Sequence, residues 1–197
     1  MRKLVVIEYL SLDGVVQGPG HAAEDEDGGF DLGGWTGPHM ADHREWGSPL
    51  YQAAGAFVFG RRTYDLWLPH WSTITDPDDL IAAALNGRPK YVASTTLTAA
   101  TWPGTTVWPD RIPERVAELK AQPGGDILIA GSAALASDLI DRKLVDTYHL
   151  WFHPVVLGAG KRLFPPGLAP QQDLDLISST TTRTGLAILT YERALNS

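Results

Sequence analysis

Apolar residues in this chain gather into short β-branched runs that end in glycine- or hydroxyl-bearing turns, and helical spacing usually follows. The first run, Leu4 to Leu10, is ended by Ser11-Leu12-Asp13-Gly14 with its Asp-Gly turn signal. It is too short to span a bilayer and has no small-residue cleavage site, so it predicts a central strand. Gln17 to Pro38 has no period, and its nine Gly and Pro residues and five carboxylates mark a long excursion. Asp42 to Ala54 predicts a helix with Trp46, Leu50 and Ala53-Ala54 on its apolar side, Pro49 as a breaker and Gly55 as its close. Ala56 to Phe59 is a buried strand running into Gly60-Arg61-Arg62-Thr63-Tyr64-Asp65, a strand-to-helix corner.

Pro77 to Asn86 is helical in pattern, with Asp78 and Asp79 in the first turn and Gly87 past the end. Lys90 to Ser94 is a strand ending in Thr95-Thr96, and Thr105 to Trp108 a shorter one. Ile112 to Gln122 is a helix with Ile112, Val116 and Leu119 on one face. Asp126 to Ala130 is a strand that empties into Gly131-Ser132, and Ala133 to Ile140 is the helix after it. Val145 to Val156 and Asp173 to Glu192 are strand-like, separated by Gly158-Ala159-Gly160-Lys161-Arg162 and a Pro-rich link. Alternating strands and helices closed by a hairpin predict an α/β fold, a mostly parallel sheet with an antiparallel C-terminal edge wound by right-handed crossovers.

With 197 residues and 44% hydrophobic content the chain can bury one substantial core, so a single domain over 1–197 is expected, with an acidic, Gly-rich loop at about 17–40. A net charge of -7 excludes a general nucleic-acid binder, and any phosphate site must be local. The absence of cysteine removes disulfides, thiolate zinc sites and a cysteine nucleophile, and suits a cytoplasmic protein. His39, His43 and His153 have no metal-ligand spacing, so no metal is expected. Seven Trp suggest a site for a flat ligand.

The carboxyl ends of parallel strands are where α/β sheets bind ligands, and helix N-termini there present free N–H groups to phosphates. Arg61 and Arg62 add bidentate phosphate recognition and Thr63 a hydroxyl, as for a dinucleotide with an extra ribose phosphate; the plainer alternative is a solvated turn with an ion pair. Ser94-Thr95-Thr96 and Gly131-Ser132 allow both a phosphate-side and a loop-capping role. Neither a Walker lysine nor a Gly-x-Gly-x-x-Gly motif is present.

Taken in order, Ser11-Leu12-Asp13-Gly14, Gly60-Arg61-Arg62-Thr63-Tyr64, Lys90-Tyr91-Val92-Ala93-Ser94, Ile129-Ala130-Gly131-Ser132 and Pro154-Val155-Val156-Leu157-Gly158-Ala159-Gly160 resemble the dihydrofolate-reductase-like family represented by the RibD C-terminal domain, the reductase part of a riboflavin-biosynthesis enzyme. The resemblance covers nearly the whole chain. It implies a central sheet of about eight strands with helices on both faces, NADPH as hydride donor, and a homodimer. It places Gly60, Arg61, Arg62 and Thr63 on the NADPH phosphates, Ser94 and Thr95 by the adenosine, and Gly131, Ser132, Ala133 and Ala134 on the pyrophosphate. Asp13 would face the substrate, and Gly33-Gly34-Trp35 would form a lid beside the nicotinamide. Outside the resemblance, Asp13 also reads as a turn aspartate and Trp35 as a loop anchor.

Hydride transfer needs alignment, a dry pocket and a proton source, which dihydrofolate reductases place on the first helix. Asp42 and Glu45, three positions apart on that helix, are the candidates beside Asp13; a solvated acidic helix start is the alternative. The implied activity is NADPH-dependent reduction of a small heterocycle, of the 5-amino-6-(5-phosphoribosylamino)uracil or dihydrofolate type. Two departures stand against a ribose-phosphate substrate: Val15 sits where relatives have a basic residue, and the excursion from His21 to Asp31 is acidic. The competing expectation is a non-catalytic protein that holds a nucleotide or planar ligand in the same cleft, without nucleic-acid or membrane partners. Phe152, Val156, Leu157 and the final hairpin would form a dimer seam.

Overall fold

The structure, a computed structural model, describes residues 1–167 and 171–194, so the end of the Pro-rich link and the last three positions of the expected domain lie outside it. Eight strands form one sheet in the order β4-β3-β2-β5-β1-β6-β8-β7. They are β1 (Leu4–Ser11), β2 (Ala56–Gly60), β3 (Lys90–Ala93), β4 (Thr105–Trp108), β5 (Ile127–Ala130), β6 (Thr147–His153), β7 (Leu174–Thr181) and β8 (Ala187–Arg193). β1 to β6 are mutually parallel, while β8 pairs antiparallel with both β6 and β7. This is the mostly parallel sheet with an antiparallel edge that the sequence pattern predicts. The antiparallel part begins only at β8, because the segment read as Val145–Val156 joins the parallel set as β6 and ends at His153, before Pro154.

Helices α1 (Met40–Ala53), α2 (Arg61–Trp71) and α3 (Leu80–Gly87) cover one face, and α4 (Ile112–Ala121) and α5 (Ala133–Asp141) the other. β1 contributes to both cores: Leu4, Val6 and Leu10 pack with α4 and α5, and Val5 and Ile7 with the α1 to α3 side. A strand covered on both faces is apolar on both, which is why Leu4 to Leu10 shows no alternation and departs from an apolar run only at Glu8.

Two helices differ from their expected bounds. α1 runs unbroken through Pro49, because Pro49 is exposed at its outer side while Tyr51 is buried on the inner, and Ser48 Oγ donates to the Arg44 carbonyl at 2.6 Å. α3 starts at Leu80 rather than Pro77, because Asp79 is its N-cap and accepts the Ala82 N–H at 3.0 Å, leaving Asp78 in the preceding turn. Lys90 is fully buried, and its ammonium donates to the carbonyls of Leu85 (2.7 Å) and Arg88 (3.0 Å) at the end of α3. Among the described residues, no helix is long and apolar enough to cross a membrane.

Candidate active site

The connections from β1, β2 and β3 lie on the α1 to α3 side, whereas the helix leaving β5 lies on the opposite face. The connections of β2 and its neighbour β5 therefore leave on opposite faces of the sheet, the arrangement that in open α/β sheets places a ligand crevice at the carboxyl ends. The two walls are tied together, since the Gly60 N–H donates to Ser132 Oγ at 2.9 Å. Gly60 caps α2 and Ser132 caps α5, and neither helix start is closed by a side-chain hydrogen bond of its own capping residue. Their first-turn N–H groups thus remain for an anion. Gly131 (φ 62°) and Ser132 (φ 63°) are both left-handed, which turns the chain sharply enough to bring Gly131 beside Thr63.

The expected cofactor residues come together at this edge, with one exception. Arg61 holds Asp65 through Nε at 2.7 Å and reaches Thr96 Oγ1 at 3.4 Å. With Ser94, Thr95, Thr96, Trp108 and Ile112 it lines an open cavity of about 360 Å³ beyond β3. Ser94 Oγ braces that turn by accepting the Leu97 N–H at 3.0 Å. Thr63, Gly131, Ser132 and Ala133 are half-buried around the crevice and Ala134 is exposed beside it. Arg62 points elsewhere, to Asp25 and Asp27 of the acidic excursion, each at 2.8 Å.

The expected proton-handling residues are dispersed. Asp13 accepts from Ser11 Oγ at 2.7 Å and from the Leu157 and Gly158 N–H groups at 3.1 and 2.8 Å, which hold its carboxyl down at about 2 and pin the loop after β6. Asp42 is buried, and hydroxyls of Thr182 and Thr184 hold its carboxyl below the usual range, with Thr184 Oγ1 at 2.5 Å. Glu45 is exposed, so the two acids do not share an environment although they share a helix. Gly33 and Gly34 lie against the backbone at His21 and Ala22, where a Cβ on Gly33 would strike the Ala22 carbonyl. Trp35 donates its indole N–H to the Gln17 carbonyl at 2.9 Å and meets His153 edge-on at 5.0 Å.

Between the carboxyl ends of β1 and β6 and helix α1 lies a buried group that sequence reasoning did not assemble: Tyr9, His39, His43, Trp151 and His153. Tyr9 stacks on His43 with centroids 4.1 Å apart, and His43 Nε2 and His153 Nε2 are 2.9 Å apart. His153 Nδ1 faces the carbonyls of Trp151 (3.0 Å) and Leu10 (3.2 Å), so it carries the proton. His153 Nε2 must then accept from His43 Nε2–H. Burial lowers His43 to about 3 and His153 to about 4, and both rings are neutral at pH 7. His39 Nδ1 bonds Thr184 Oγ1 at 2.7 Å, linking this group to Asp42. The signal available in sequence was His39 and His43 one helical turn apart; their partner on β6 is distant in the chain. Glu8, also missed, is 4% exposed, its Oε1 has no partner among the described residues, and burial raises its carboxyl to about 8. Among the described residues no cluster of three or more His, Asp or Glu is arranged to hold a metal ion.

The fold is shared with known proteins. The profile of the RibD C-terminal domain family matches residues 2–188. The uncharacterized protein YyaP of Bacillus subtilis (strain 168) is 33% identical over 136 residues, 68% of this chain and 71% of that protein. The uncharacterized protein YwjB of the same organism is 28% identical over 83% of each chain. Among solved structures, a putative riboflavin biosynthesis protein from Shewanella sp. PV-4 superposes with a TM-score of 0.68 at 20% identity, covering 98% of this chain and 99% of that one. A pyrimidine reductase-like protein from Corynebacterium diphtheriae gives 0.58 at 13% identity, over 98% and 92%. The deaminase/5-amino-6-(5-phosphoribosylamino)uracil reductase of Thermotoga maritima gives 0.64 at 10% identity, over 98% of this chain and 57% of that longer one.

Proposed function

This chain belongs to the RibD C-terminal domain family, and from that premise we propose that it is an NADPH-dependent reductase of a small planar heterocycle of pyrimidine or pterin type. The observation that carries the reading is the crevice between β2 and β5, where the uncapped starts of α2 and α5 meet across the Gly60 to Ser132 hydrogen bond. The donor set there, backbone N–H groups with the Arg61 guanidinium and the hydroxyls of Thr63, Ser94, Thr95 and Thr96, fits a phosphorylated dinucleotide.

Bound NADPH supplies a hydride. The protein's part is to align and dry the acceptor. The α2 and α5 starts would hold the pyrophosphate, and the Arg61 cavity would take the adenosine ribose with its phosphate. Tyr9 and Trp35, half-buried and backed by the neutral His43–His153 pair, would be the wall for a flat acceptor at the ends of β1 and β6. Asp42, tied through Thr184 to His39, is the carboxylate nearest that wall in connectivity, as on the first helix of dihydrofolate reductases. Calorimetric titration with NADPH and NADH, repeated on Arg61→Ala, tests the reading: selective NADPH binding lost in the variant supports it, and failure of the protein to bind either nucleotide ends it.

One observation favours a second reading. Asp13 and Asp42 already have their oxygens engaged and Glu45 is in solvent, so a cleft that binds a nucleotide or planar ligand without transferring hydride fits the same residues. NADPH oxidation with an added pyrimidine or pterin discriminates, since a pure binding protein gives none. The sheet ends in edge strand β7, where Leu176 and Ile177 are exposed, and Val156 is exposed on the loop after β6. Such an edge supports pairing with a second copy, which light scattering would register as twice the chain mass.

A further inference from the structure

The sequence places Arg61 and Arg62 side by side, yet their side chains serve different neighbours. Arg61 faces Thr96 and the cavity beyond β3. Arg62 Nη1 contacts Asp25 and Asp27 at 2.8 Å each, and Lys161 Nζ, from the loop after β6, contacts the same two carboxylates at 2.6 and 2.7 Å. Two cations from two elements thus close on two anions of one loop, and the local charge balances.

The loop is built to deliver those anions. The Gln17 amide group donates to the carbonyls of Asp25 (3.1 Å) and Asp27 (2.9 Å), and its oxygen accepts the Lys161 N–H at 3.0 Å. Trp35 closes on the Gln17 carbonyl, and the Gly34 N–H on the Gly18 carbonyl at 2.8 Å. Asp25 is largely buried, its side chain 13% exposed, whereas the Arg62 side chain is 58% exposed. A phosphate reaching for Arg62 would have to displace two carboxylates that Lys161 also holds, so Arg62 is a poor phosphate reader in this arrangement.

We propose that Arg62, with Lys161, is a positioning residue that fastens the 17–36 excursion to the carboxyl edge of the sheet through Asp25 and Asp27, leaving Arg61 alone to distinguish a phosphorylated from an unphosphorylated dinucleotide. The half concerning Arg61 rests on the reductase reading above; the fastening does not. The five carboxylates that stood against a phosphorylated ligand are thereby partly neutralised within the protein itself.

The test compares the full-length chain with Arg61→Ala, Arg62→Ala and Asp25→Asn/Asp27→Asn. Each is titrated with NADPH and with NADH, and digested with a glutamate-specific protease that cuts after Glu24 or Glu26. Arg61→Ala should weaken NADPH at least tenfold, leave NADH within twofold and leave cleavage unchanged. Arg62→Ala should change both nucleotides by the same factor and speed cleavage several-fold, and the double asparagine variant, which also loses the Lys161 ion pairs, should do the same at least as strongly. A selective tenfold loss of NADPH in Arg62→Ala, with tighter NADPH binding by the asparagine variant, would overturn the proposal by showing carboxylates competing for a phosphate-reading arginine. If the wild type binds neither nucleotide the reductase reading and the Arg61 role fall together, and the protease then decides the fastening: unchanged cleavage in Arg62→Ala refutes it.

Discussion

Replacing Glu8 by glutamine should relieve the fold of a cost that grows with pH. Glu8 sits on β1 between Val6 and Leu10 and opposite Leu150 of β6, in a strand covered on both faces, and its Oε1 has no hydrogen-bond partner among the described residues. Burial raises its carboxyl from 4.5 to about 8. Below pH 4.5 the native and unfolded chains both hold the proton and the group adds no pH dependence. Between 4.5 and about 8 the unfolded chain has released it and the native chain has not, so stability falls by about 1.4 kcal/mol per pH unit. Above about 8 both are ionised, and the accumulated loss levels off near 5 kcal/mol, a large share of a typical domain's stability. Denaturant unfolding of wild type and Glu8→Gln across pH 5 to 9 measures it. The variant should gain about 4 kcal/mol on the wild type between those limits, with the two close at pH 5. Parallel curves would refute the reasoning, because they would mean that the Glu8 carboxyl ionises at its ordinary pH in the native state.

Acid should act on a second buried group. His43 and His153 are held neutral well below 6.5, so between pH 6.5 and about 4 the unfolded chain takes up protons that the native chain refuses, and stability falls as pH falls. His43→Gln should flatten that limb of the acid-unfolding curve, and an unchanged slope would remove the His43–His153 pair as its cause. Ser132→Ala deletes the 2.9 Å bond across the crevice and should lower stability by about 1 kcal/mol in chemical denaturation. Ser132→Gly, which suits the left-handed φ of 63°, should be more stable than the alanine variant by about 1 kcal/mol. Lys90→Met leaves the Leu85 and Arg88 carbonyls without their donor and should lower thermal stability by about 3 kcal/mol, and a variant as stable as wild type would show that those carbonyls find another partner.

The strand-helix order was legible because each parallel strand is a short apolar run and each corner changes composition abruptly. The corners at Gly60, Ser94 and Gly131 could be read together since parallel strands put their carboxyl ends on one edge whatever their order in the sheet. Side-chain direction was not legible. Arg61 and Arg62 carry the same charge at adjacent positions, yet successive residues on a helix point about 100° apart, and only the folded excursion shows which one meets Asp25 and Asp27. Asp42 and Glu45 diverge for a related reason: the turn at Thr182 to Thr184, far away in sequence, covers one and leaves the other in solvent. The histidine group needed α1 and β6 brought together across the sheet edge, and Glu8 could be seen as buried only once β1 was known to be covered on both faces.

Backbone amide chemical-shift mapping during an NADPH titration tests the central claim most directly. The largest changes should fall at Gly60 to Thr63, Ser94 to Thr96 and Gly131 to Ala134, the three corners of one sheet edge, and NADH should reproduce the first and third while moving Thr96 less. Changes confined to other surfaces, or none at millimolar NADPH, would contradict it.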